Sequence, residues 1–440
     1  MFKKIKKELQ GELVKRVTNN IGWLFLDNLL KLIVGLFVVI FLARYLGPEG
    51  FGLYNYVSAF VAIFAPFATL GLYSVVVRDL VNRKDHDKII TNAAIIMLIG
   101  AVISYLAMVF LIGVMRPGEA DVKIITSLLG LTLLFKTSFI MRFWFEAEIV
   151  SKYAVYVESS VFLVAGLVKL IFIYLKLPLI CFVIVLLFES IFVFFGYCLA
   201  FRIARGKRLE WSFDWGEIKY LLHQSWPLII SGAAWILYTK IDQIMIGQMI
   251  GDQAVGVYAA ASKLSEVAVM VPTIIALSIV PVIMKSKENS LDAYRKQFQQ
   301  LYDCIVFVTV SMALCVTLLS DEIVSILYGA EYKAAASILT IQFWVVIFIG
   351  LAIVSGRFFV NEGMQRITMQ RHIIGLVLNF LLNFYFIPSF GIEGAAYASL
   401  ASMFFANYFY DLLVKETREV FYQKTKALVF VWLFKFYKKA

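Results

Sequence analysis

The chain has 440 residues, of which 61% are hydrophobic and only 16% are charged. Soluble domains carry about 25% charged residues and roughly 45–50% apolar residues. The composition therefore excludes a cytosolic enzyme, a disordered chain and a secreted disulfide scaffold. The net charge of +11 does not require a nucleic-acid partner, because Lys and Arg accumulate in the cytoplasmic loops of membrane proteins. We expect a membrane protein with many spans.

The apolar residues fall into twelve blocks, each close to the ~20 residues that a helix needs to cross a bilayer. The blocks are 20–42, 52–77, 89–114, 122–146, 152–174, 178–202, 219–246, 254–283, 300–319, 334–356, 369–388 and 392–414. We expect each block to form one transmembrane helix. The first block is longer than the apolar part of a signal peptide and lacks a cleavage site, so we expect it to be retained.

Basic residues between the blocks predict the orientation of the chain. Thirty-one Lys and Arg residues lie in the two tails and in alternate loops, whereas five lie in the other loops. Because Lys and Arg favour the cytoplasmic side, both termini are predicted to be cytoplasmic and the number of spans to be even. The tails, residues 1–19 and 415–440, combine lysines with apolar residues. We expect them to lie on the membrane surface, in contact with membrane lipids.

A short motif occurs twice along the chain. The runs Leu46–Tyr54 and Ile250–Tyr258 follow the first and seventh blocks, and both read apolar-Gly-x₄-Gly-apolar-Tyr. An offset of six helices keeps two repeats in the same orientation, as in many secondary transporters. We predict an all-α membrane protein with about twelve transmembrane helices in two six-helix bundles, related by a pseudo-two-fold axis along the membrane normal. The bundles are residues 20–202 and 219–414, joined by a cytoplasmic linker at 203–218.

The sequence carries no motif for catalysis or cofactor binding. All four cysteines lie inside apolar blocks, and the three histidines lack the spacing of metal ligands. The segments between blocks are short, so no soluble catalytic domain is expected. We therefore predict a protein that is not an enzyme and that has no cofactor, no metal site and no nucleic-acid partner.

Charged residues inside the apolar blocks are the candidates for function, because charge within a bilayer is costly and usually functional. Asp27 and Lys31 share a helix face at i,i+4, Lys263 and Glu266 share one at i,i+3, and Lys136 lies in the fourth block. These groups either form structural ion pairs or line one hydrated cavity. The cavity is favoured, because isolated burial costs several kcal/mol per charge.

The seventh block carries a further carboxylate. Asp242 lies on the same helical face as Trp235 and Tyr238, which predicts a cavity wall. Lys240 lies on a different face near the predicted outer end of this helix. Snorkelling to the lipid headgroups explains Lys240 as well as a functional role does, and the same two interpretations hold for Lys169.

Several runs resemble polysaccharide (O-antigen) flippases of the Wzx type, which belong to the multidrug/oligosaccharidyl-lipid/polysaccharide exporter superfamily. The most specific run is Tyr238–Gly247, followed by Ala254–Tyr258 and Lys263–Glu266. The first loop, Leu46–Gly52, is also similar. Glycines, asparagines and a proline resemble the signature of helices 11 and 12 in that family: Gly375, Asn379, Asn383, Pro388, Gly391 and Gly394.

The resemblance implies translocation of an undecaprenyl-pyrophosphate-linked oligosaccharide from the inner to the outer leaflet of the bacterial plasma membrane. The polyisoprenoid tail can stay in lipid, whereas the pyrophosphate and sugars need a cationic, hydrated passage. We expect Lys31, Lys136 and Lys263 to contact the pyrophosphate, and Trp235 and Tyr238 to stack on sugar rings. A polysaccharide polymerase and chain-length machinery are the expected protein partners.

Four carboxylates are candidates for ion coupling or charge balance: Asp27, Glu189, Asp242 and Glu266. Glu189 ranks first, because no lysine lies within one helical turn of it along the sequence. Two other functions remain open. A drug exporter coupled to sodium or protons would share the twelve helices. A membrane polysaccharide polymerase usually has a long external loop, whereas the longest external segment here is 320–333.

Overall fold

The computed structural model describes residues 2–287 and 290–430, with side chains from residue 20 onward except at positions 21 and 24. Throughout this part of the chain the regular secondary structure is helical. The chain folds into two compact units. Unit 1 comprises Met1–Tyr45 and Val57–Ile236, and unit 2 comprises Leu46–Tyr56 and Leu237–Ala440.

Unit 1 contains most of the helices in the first half of the chain. In chain order these are α1 (Phe2–Thr69), α2 (Tyr73–Asn82), α3 (His86–Met115), α4 (Ala120–Gly130), α5 (Thr132–Phe135), α6 (Phe139–Ala147), α7 (Lys152–Tyr174), α8 (Leu179–Arg205) and the first part of α9 (Trp215–Met249). A 3₁₀ turn, Lys136–Ser138, separates α5 from α6. Gly206, with φ +69°, ends α8 in the left-handed conformation that glycine adopts without strain.

Unit 2 contains the remaining helices. After the end of α9 these are α10 (Asp252–Ser286), α11 (Leu291–Leu327), α12 (Ala335–Asn361), α13 (Gln365–Phe390), α14 (Ile392–Phe404), α15 (Tyr410–Leu413) and α16 (Arg418–Leu428). A π-helical turn, Phe405–Phe409, separates α14 from α15. The side-chain oxygen of Ser290 accepts a hydrogen bond from the backbone N–H of Ala293 and caps α11.

The predicted spans all fall on helices, and the all-α membrane fold is confirmed. Within the described residues, nine helical segments are long and apolar enough to cross a membrane. The longest, Phe25–Asn82, covers most of the first predicted span and all of the second. The predicted span 219–246 lies on α9 and the predicted span 392–414 lies on α14–α15. Neither is among the nine segments that are long and apolar enough to cross a membrane. One reason for the second is that the π-helical turn ends α14 after 13 residues.

The two copies of the repeated motif pack against each other within unit 2. A Cβ atom on Gly52 would lie 1.7 Å from the backbone oxygen of Asp252, and one on Gly256 would lie 1.9 Å from that of Pro48. Only glycine permits so close an approach of two backbones. Gly47, with φ +65°, marks the bend where the first two predicted spans meet inside α1. This packing explains why residues 46–56 belong to unit 2.

The compact units differ in extent from the predicted bundles. Residues 215–236 of α9 belong to unit 1, and the helix passes into unit 2 after Ile236. The predicted bundle boundaries at 203–218 stay a prediction. Residues 2–19 continue α1 without a break, but their side chains, like residues 431–440, lie outside the described part, so the surface seating of both tails also stays a prediction.

Candidate functional site

Lys31 lies between two carboxylates in unit 1. Its Nζ donates to Asp27 Oδ2 at 2.8 Å and to Glu158 Oε2 at 2.5 Å. Asp27 is 6% exposed, and its other oxygen accepts a hydrogen bond from Ser159 Oγ at 2.6 Å. The predicted pair on α1 is therefore present, but the second carboxylate comes from α7.

This ion network extends to the predicted cytoplasmic end of unit 1. Arg142 forms ion pairs with Glu158 at 3.0 Å and with Glu146 at 3.1 Å, and the hydroxyl of Tyr197 donates to Glu158. Together with Lys31 and Asp27, the network contains three carboxylates and two cations. Lys31 is thus charge-compensated in this structure, and an anionic ligand would have to compete with two carboxylates for it.

Lys136 has different surroundings from Lys31. It begins the 3₁₀ turn that interrupts the candidate span Ala120–Ala147, and it is half-buried. Its Nζ lies 5.2 Å from the ring centre of Phe139, and no described carboxylate lies within ion-pair distance of it. A lysine within a span without a counter-ion is a strong attractor for an anion.

Glu189 has a partner that its own helix does not reveal. Lys169 Nζ on α7 lies 3.4 Å from Glu189 Oε2 on α8. Lys169 is 7% exposed and is therefore enclosed by packed side chains, so its position does not favour snorkelling to the headgroups, one of its two interpretations. The ranking of Glu189 as the first coupling site rests on the absence of a lysine within one helical turn along the sequence. A lysine of the neighbouring helix pairs with it instead, and its coupling role stays a prediction.

Glu266 in unit 2 is shared by two lysines. Its Oε1 accepts from Lys240 Nζ at 3.0 Å and its Oε2 from Lys263 Nζ at 2.9 Å. Lys240 thus joins α9 to α10 through Glu266. One carboxylate faces two ammonium groups, so this triad carries a net positive charge and retains attraction for an anion.

Asp242 is buried in unit 2 among neutral hydrogen-bond donors. It is 4% exposed, and no described Lys, Arg or His forms an ion pair with it. Oδ2 accepts from Tyr258 Oη at 2.6 Å and from Ser399 Oγ at 2.5 Å, while Oδ1 accepts from Asn383 Nδ2 at 2.7 Å. Asn383 Nδ2 also donates to Asn379 Oδ1 at 3.1 Å.

One oxygen at this position lacks a donor. Asn383 Oδ1 is buried and accepts no hydrogen bond from the described residues. It accompanies a buried carboxylate, and carboxylate and amide oxygens are ligands for hard cations. No group of three or more His, Cys, Asp or Glu that could hold a metal occurs among the described residues. A carboxylate with an amide oxygen beside it can hold a proton or a single monovalent cation.

The two predicted aromatic contacts have different positions on α9. Tyr238 is 2% exposed, its hydroxyl donates to Ser402 Oγ at 3.2 Å, and its ring lies against Gly375, where a Cβ would approach it to 2.5 Å. Its ring is therefore covered by packing in unit 2, which does not favour sugar stacking. Trp235 is 37% exposed in unit 1. Its role stays a prediction.

Two groups of charged residues were missed at the sequence level. Glu158 and Arg142 complete the network around Lys31. Arg371, Asp411 and Lys424 form a fully buried cluster in unit 2, in which Lys424 Nζ lies 2.9 Å from Asp411 Oδ2. The available signal for Glu158, Arg371 and Asp411 was a charge inside an apolar block. Lys424 lies on α16, outside the blocks, and only tertiary structure reveals its burial.

Comparison with known proteins gives matches along most of the chain. The sequence model of a family described as polysaccharide biosynthesis protein matches residues 17–287, and that of the MatE family matches residues 227–385. The capsular polysaccharide biosynthesis protein CapF of Staphylococcus aureus is 24% identical over 415 residues, which cover 90% of this chain and 98% of CapF. A probable low-salt glycan biosynthesis flippase, Agl15 of Haloferax volcanii, is 25% identical over 175 residues, which cover 40% of this chain and 37% of Agl15.

Two solved transporters share the fold. The lipid II flippase MurJ in an inward closed conformation has a TM-score of 0.72 at 16% identity, covering 93% of this chain and 91% of MurJ. An inward-facing multidrug resistance MATE family transporter has a TM-score of 0.65 at 13% identity, covering 86% of this chain and 92% of that transporter. The predicted family is confirmed. Because the match over residues 17–287 covers more than half of this chain, the chain belongs to the polysaccharide biosynthesis protein family.

Proposed function

We propose that this protein is a flippase that moves a lipid-linked oligosaccharide across the membrane, a transporter and not an enzyme. The observation that carries the proposal is that lysines outnumber carboxylates at two places inside the predicted spans. Lys136 has no carboxylate partner in the described chain, and Lys240 and Lys263 share a single one, Glu266. A pyrophosphate carried through a membrane requires such groups, because an uncompensated phosphate in lipid is very costly.

The relatives support this class of substrate. CapF is named for capsular polysaccharide biosynthesis, Agl15 for glycan flipping, and MurJ for flipping lipid II. We infer that the cargo is a surface-polysaccharide repeat unit linked through pyrophosphate to undecaprenol. It would move from the inner to the outer leaflet of the bacterial plasma membrane by alternating access, with both termini of the protein in the cytoplasm. A polymerase and chain-length machinery would then consume it.

The surroundings of the three predicted lysines suggest different contributions. Lys136 and Lys263 are the stronger candidates for the pyrophosphate, because each lies where positive charge exceeds negative charge. Lys31 already contacts two carboxylates, Asp27 and Glu158. We propose that Lys31 holds the network of unit 1 together and engages an anion only if one carboxylate moves away.

We further propose that Asp242 carries the coupling ion. An ionised carboxylate buried without a cationic partner is costly, and a bound proton or monovalent cation would relieve that cost. Three donors orient its oxygens, and the unpaired Asn383 Oδ1 supplies a further ligand. Glu266 and Glu189 already face lysines, so they are better suited to charge balance.

Reconstitution tests the flippase activity directly. Purified protein would be reconstituted into liposomes with a lipid-linked oligosaccharide that carries a fluorophore on its sugar. A membrane-impermeant reagent that destroys the fluorophore irreversibly would then be added outside. We expect wild-type protein to expose nearly all of the fluorophore with time. Protein-free liposomes should expose about half, since spontaneous crossing of so polar a headgroup is slow. Equal quenching in both preparations would contradict the proposal.

Variants of the lysines then test the site. Lys136→Ala and Lys263→Ala are expected to slow flipping by at least about tenfold, the effect of losing roughly 1.4 kcal/mol of interaction with the pyrophosphate. Lys333→Ala serves as the matched control, because Lys333 is exposed in a loop of unit 2 and forms no ion pair with the described residues. Wild-type rates in both site variants would place the cationic passage elsewhere.

A further inference from the structure

A pocket of about 680 Å³ opens at one end of unit 1, and none of the residues of the ion network around Lys31 lines it. Its wall is built where helices begin and end: the start of α3, the end of α6, the start of α7 and the end of α8. The distribution of basic residues predicts this end to be cytoplasmic. Three exposed lysines line it: Lys84, Lys152 and Lys207.

Two buried donors in this wall lack acceptors. The side chain of Arg205 is 5% exposed, and its Nη1 has no hydrogen-bond partner among the described residues. Trp144 is 7% exposed, and its Nε1 is likewise without an acceptor in that part of the chain. A buried guanidinium or indole N–H left unpaired costs free energy, so two of them in one pocket wall indicate a ligand that supplies acceptor oxygens.

The acidic residues of the pocket already have partners. Asp87 accepts from Arg205 Nη2 and from the backbone N–H of Glu210, and Glu148 Oε1 lies 3.5 Å from His86 Nδ1. Asp85 pairs with Arg83 at 2.6 Å, and the Arg83 guanidinium lowers the pKa of Asp85. The carboxylates thus have partners, whereas the three lysines form no ion pair with the described residues.

We propose that this pocket binds a phosphoryl group. Arg205 would donate from Nη1 while Asp87 holds its other side, Trp144 would donate from Nε1, and the three lysines would balance the remaining charge. Planar guanidinium groups and clustered lysines are the usual ligands of phosphate oxygens. The phosphoryl group belongs either to the headgroup of an anionic lipid or to a soluble phosphate. This site does not depend on the proposed flippase activity.

The test uses the full chain purified in a maltoside detergent, which contains no phosphate. Thermal unfolding is followed in two titrations, one with inorganic phosphate against chloride of equal ionic strength, and one with phosphatidylglycerol against phosphatidylcholine in mixed micelles. We expect Tm to rise with one of the two anionic ligands, because a ligand that binds the folded state stabilises it. A response to phosphatidylglycerol alone assigns the lipid headgroup, and a response to inorganic phosphate assigns the soluble source.

Two variants and a control make the test specific. The triple variant K84Q/K152Q/K207Q should weaken the apparent affinity by at least about tenfold. The control K285Q/K296Q/K415Q removes three exposed lysines from unit 2 and should respond like the wild type. For Arg205→Gln, the measured quantity is the rise in Tm that the ligand causes relative to the Tm of the same variant without ligand. A general loss of stability therefore does not mimic loss of the site. A wild type that responds to neither ligand, or a triple variant that matches it, would overturn the proposal.

Discussion

The substitution Asp242→Asn tests whether the buried carboxylate of unit 2 carries the coupling ion. It keeps the shape of the side chain and the acceptor for Asn383 Nδ2 at 2.7 Å, but it removes the negative charge. The new amide nitrogen would face the hydroxyls of Tyr258 and Ser399, which now donate to Oδ2. Both hydroxyls can rotate and accept instead, so we expect the variant to fold and insert normally.

The magnitude of the effect follows from the lost charge. A monovalent cation at about 3 Å from a carboxylate oxygen interacts with it by roughly 5–6 kcal/mol at an effective dielectric constant near 20. Since about 1.4 kcal/mol is tenfold in affinity, cation binding is expected to weaken by a factor on the order of 10⁴. The stability of the fold should change little. The lost charged hydrogen bonds, about 1.5–3 kcal/mol each, are offset by the removed cost of burying the charge.

The assay is flipping in proteoliposomes with an imposed sodium or proton gradient. The measured quantity is the ratio of initial rates with and without the gradient. We expect the wild type to give a ratio well above that of Asp242→Asn, which should be insensitive to both gradients. Asp321→Asn is the matched control, because Asp321 is exposed on α11 in the same unit. If Asp242→Asn responds to a gradient as strongly as this control does, the coupling role of Asp242 is refuted.

Three further predictions follow from the packing and the charges. Glu189→Gln leaves Lys169 buried without its carboxylate and should cost about 2 kcal/mol of stability, which a lower Tm would show. The double variant with Lys169→Met should recover this Tm. The dependence of flipping on an ion gradient should persist in Glu189→Gln, and its loss would return Glu189 to the coupling mechanism. Gly256→Ala places a Cβ 1.9 Å from a backbone oxygen and should lower Tm by an amount equivalent to about 3 kcal/mol. The control Gly113→Ala should not lower Tm, because no atom lies within 4 Å of its Cβ. Equal Tm values for the two variants would contradict the close packing. A reporter fused to the C terminus should be active in the cytoplasm, and periplasmic activity would reverse the predicted topology.

The amino-acid sequence alone determined the membrane class, the approximate spans and the family. The bilayer requires about twenty consecutive apolar residues per helix. Because these residues are neighbours in the sequence, the spans could be located without the structure, and each predicted block falls on a helix. The repeated glycine motif was also visible, because it needs only a comparison of the chain with itself. The structure added that the two copies contact each other through Gly52 and Gly256.

Tertiary structure alone decided which charges are compensated. Asp27 and Lys31 could be paired from the sequence because they lie one turn apart on one helix, but Glu158 reaches Lys31 from 127 residues away. The same distance in sequence concealed the pairing of Glu189 with Lys169 on another helix.

Asp242 shows the limit of sequence reasoning most clearly. Its helical face was predictable, but its donors come from α10, α13 and α14, up to 157 residues along the chain. Helical periodicity fixes the direction in which a side chain points from its own axis, whereas the groups that meet it depend on how other helices pack. The folded protein therefore decides the surroundings of each charge within a span. A lysine can neutralise the charge, hydroxyls and amides can solvate it, or it can remain for a ligand to bind.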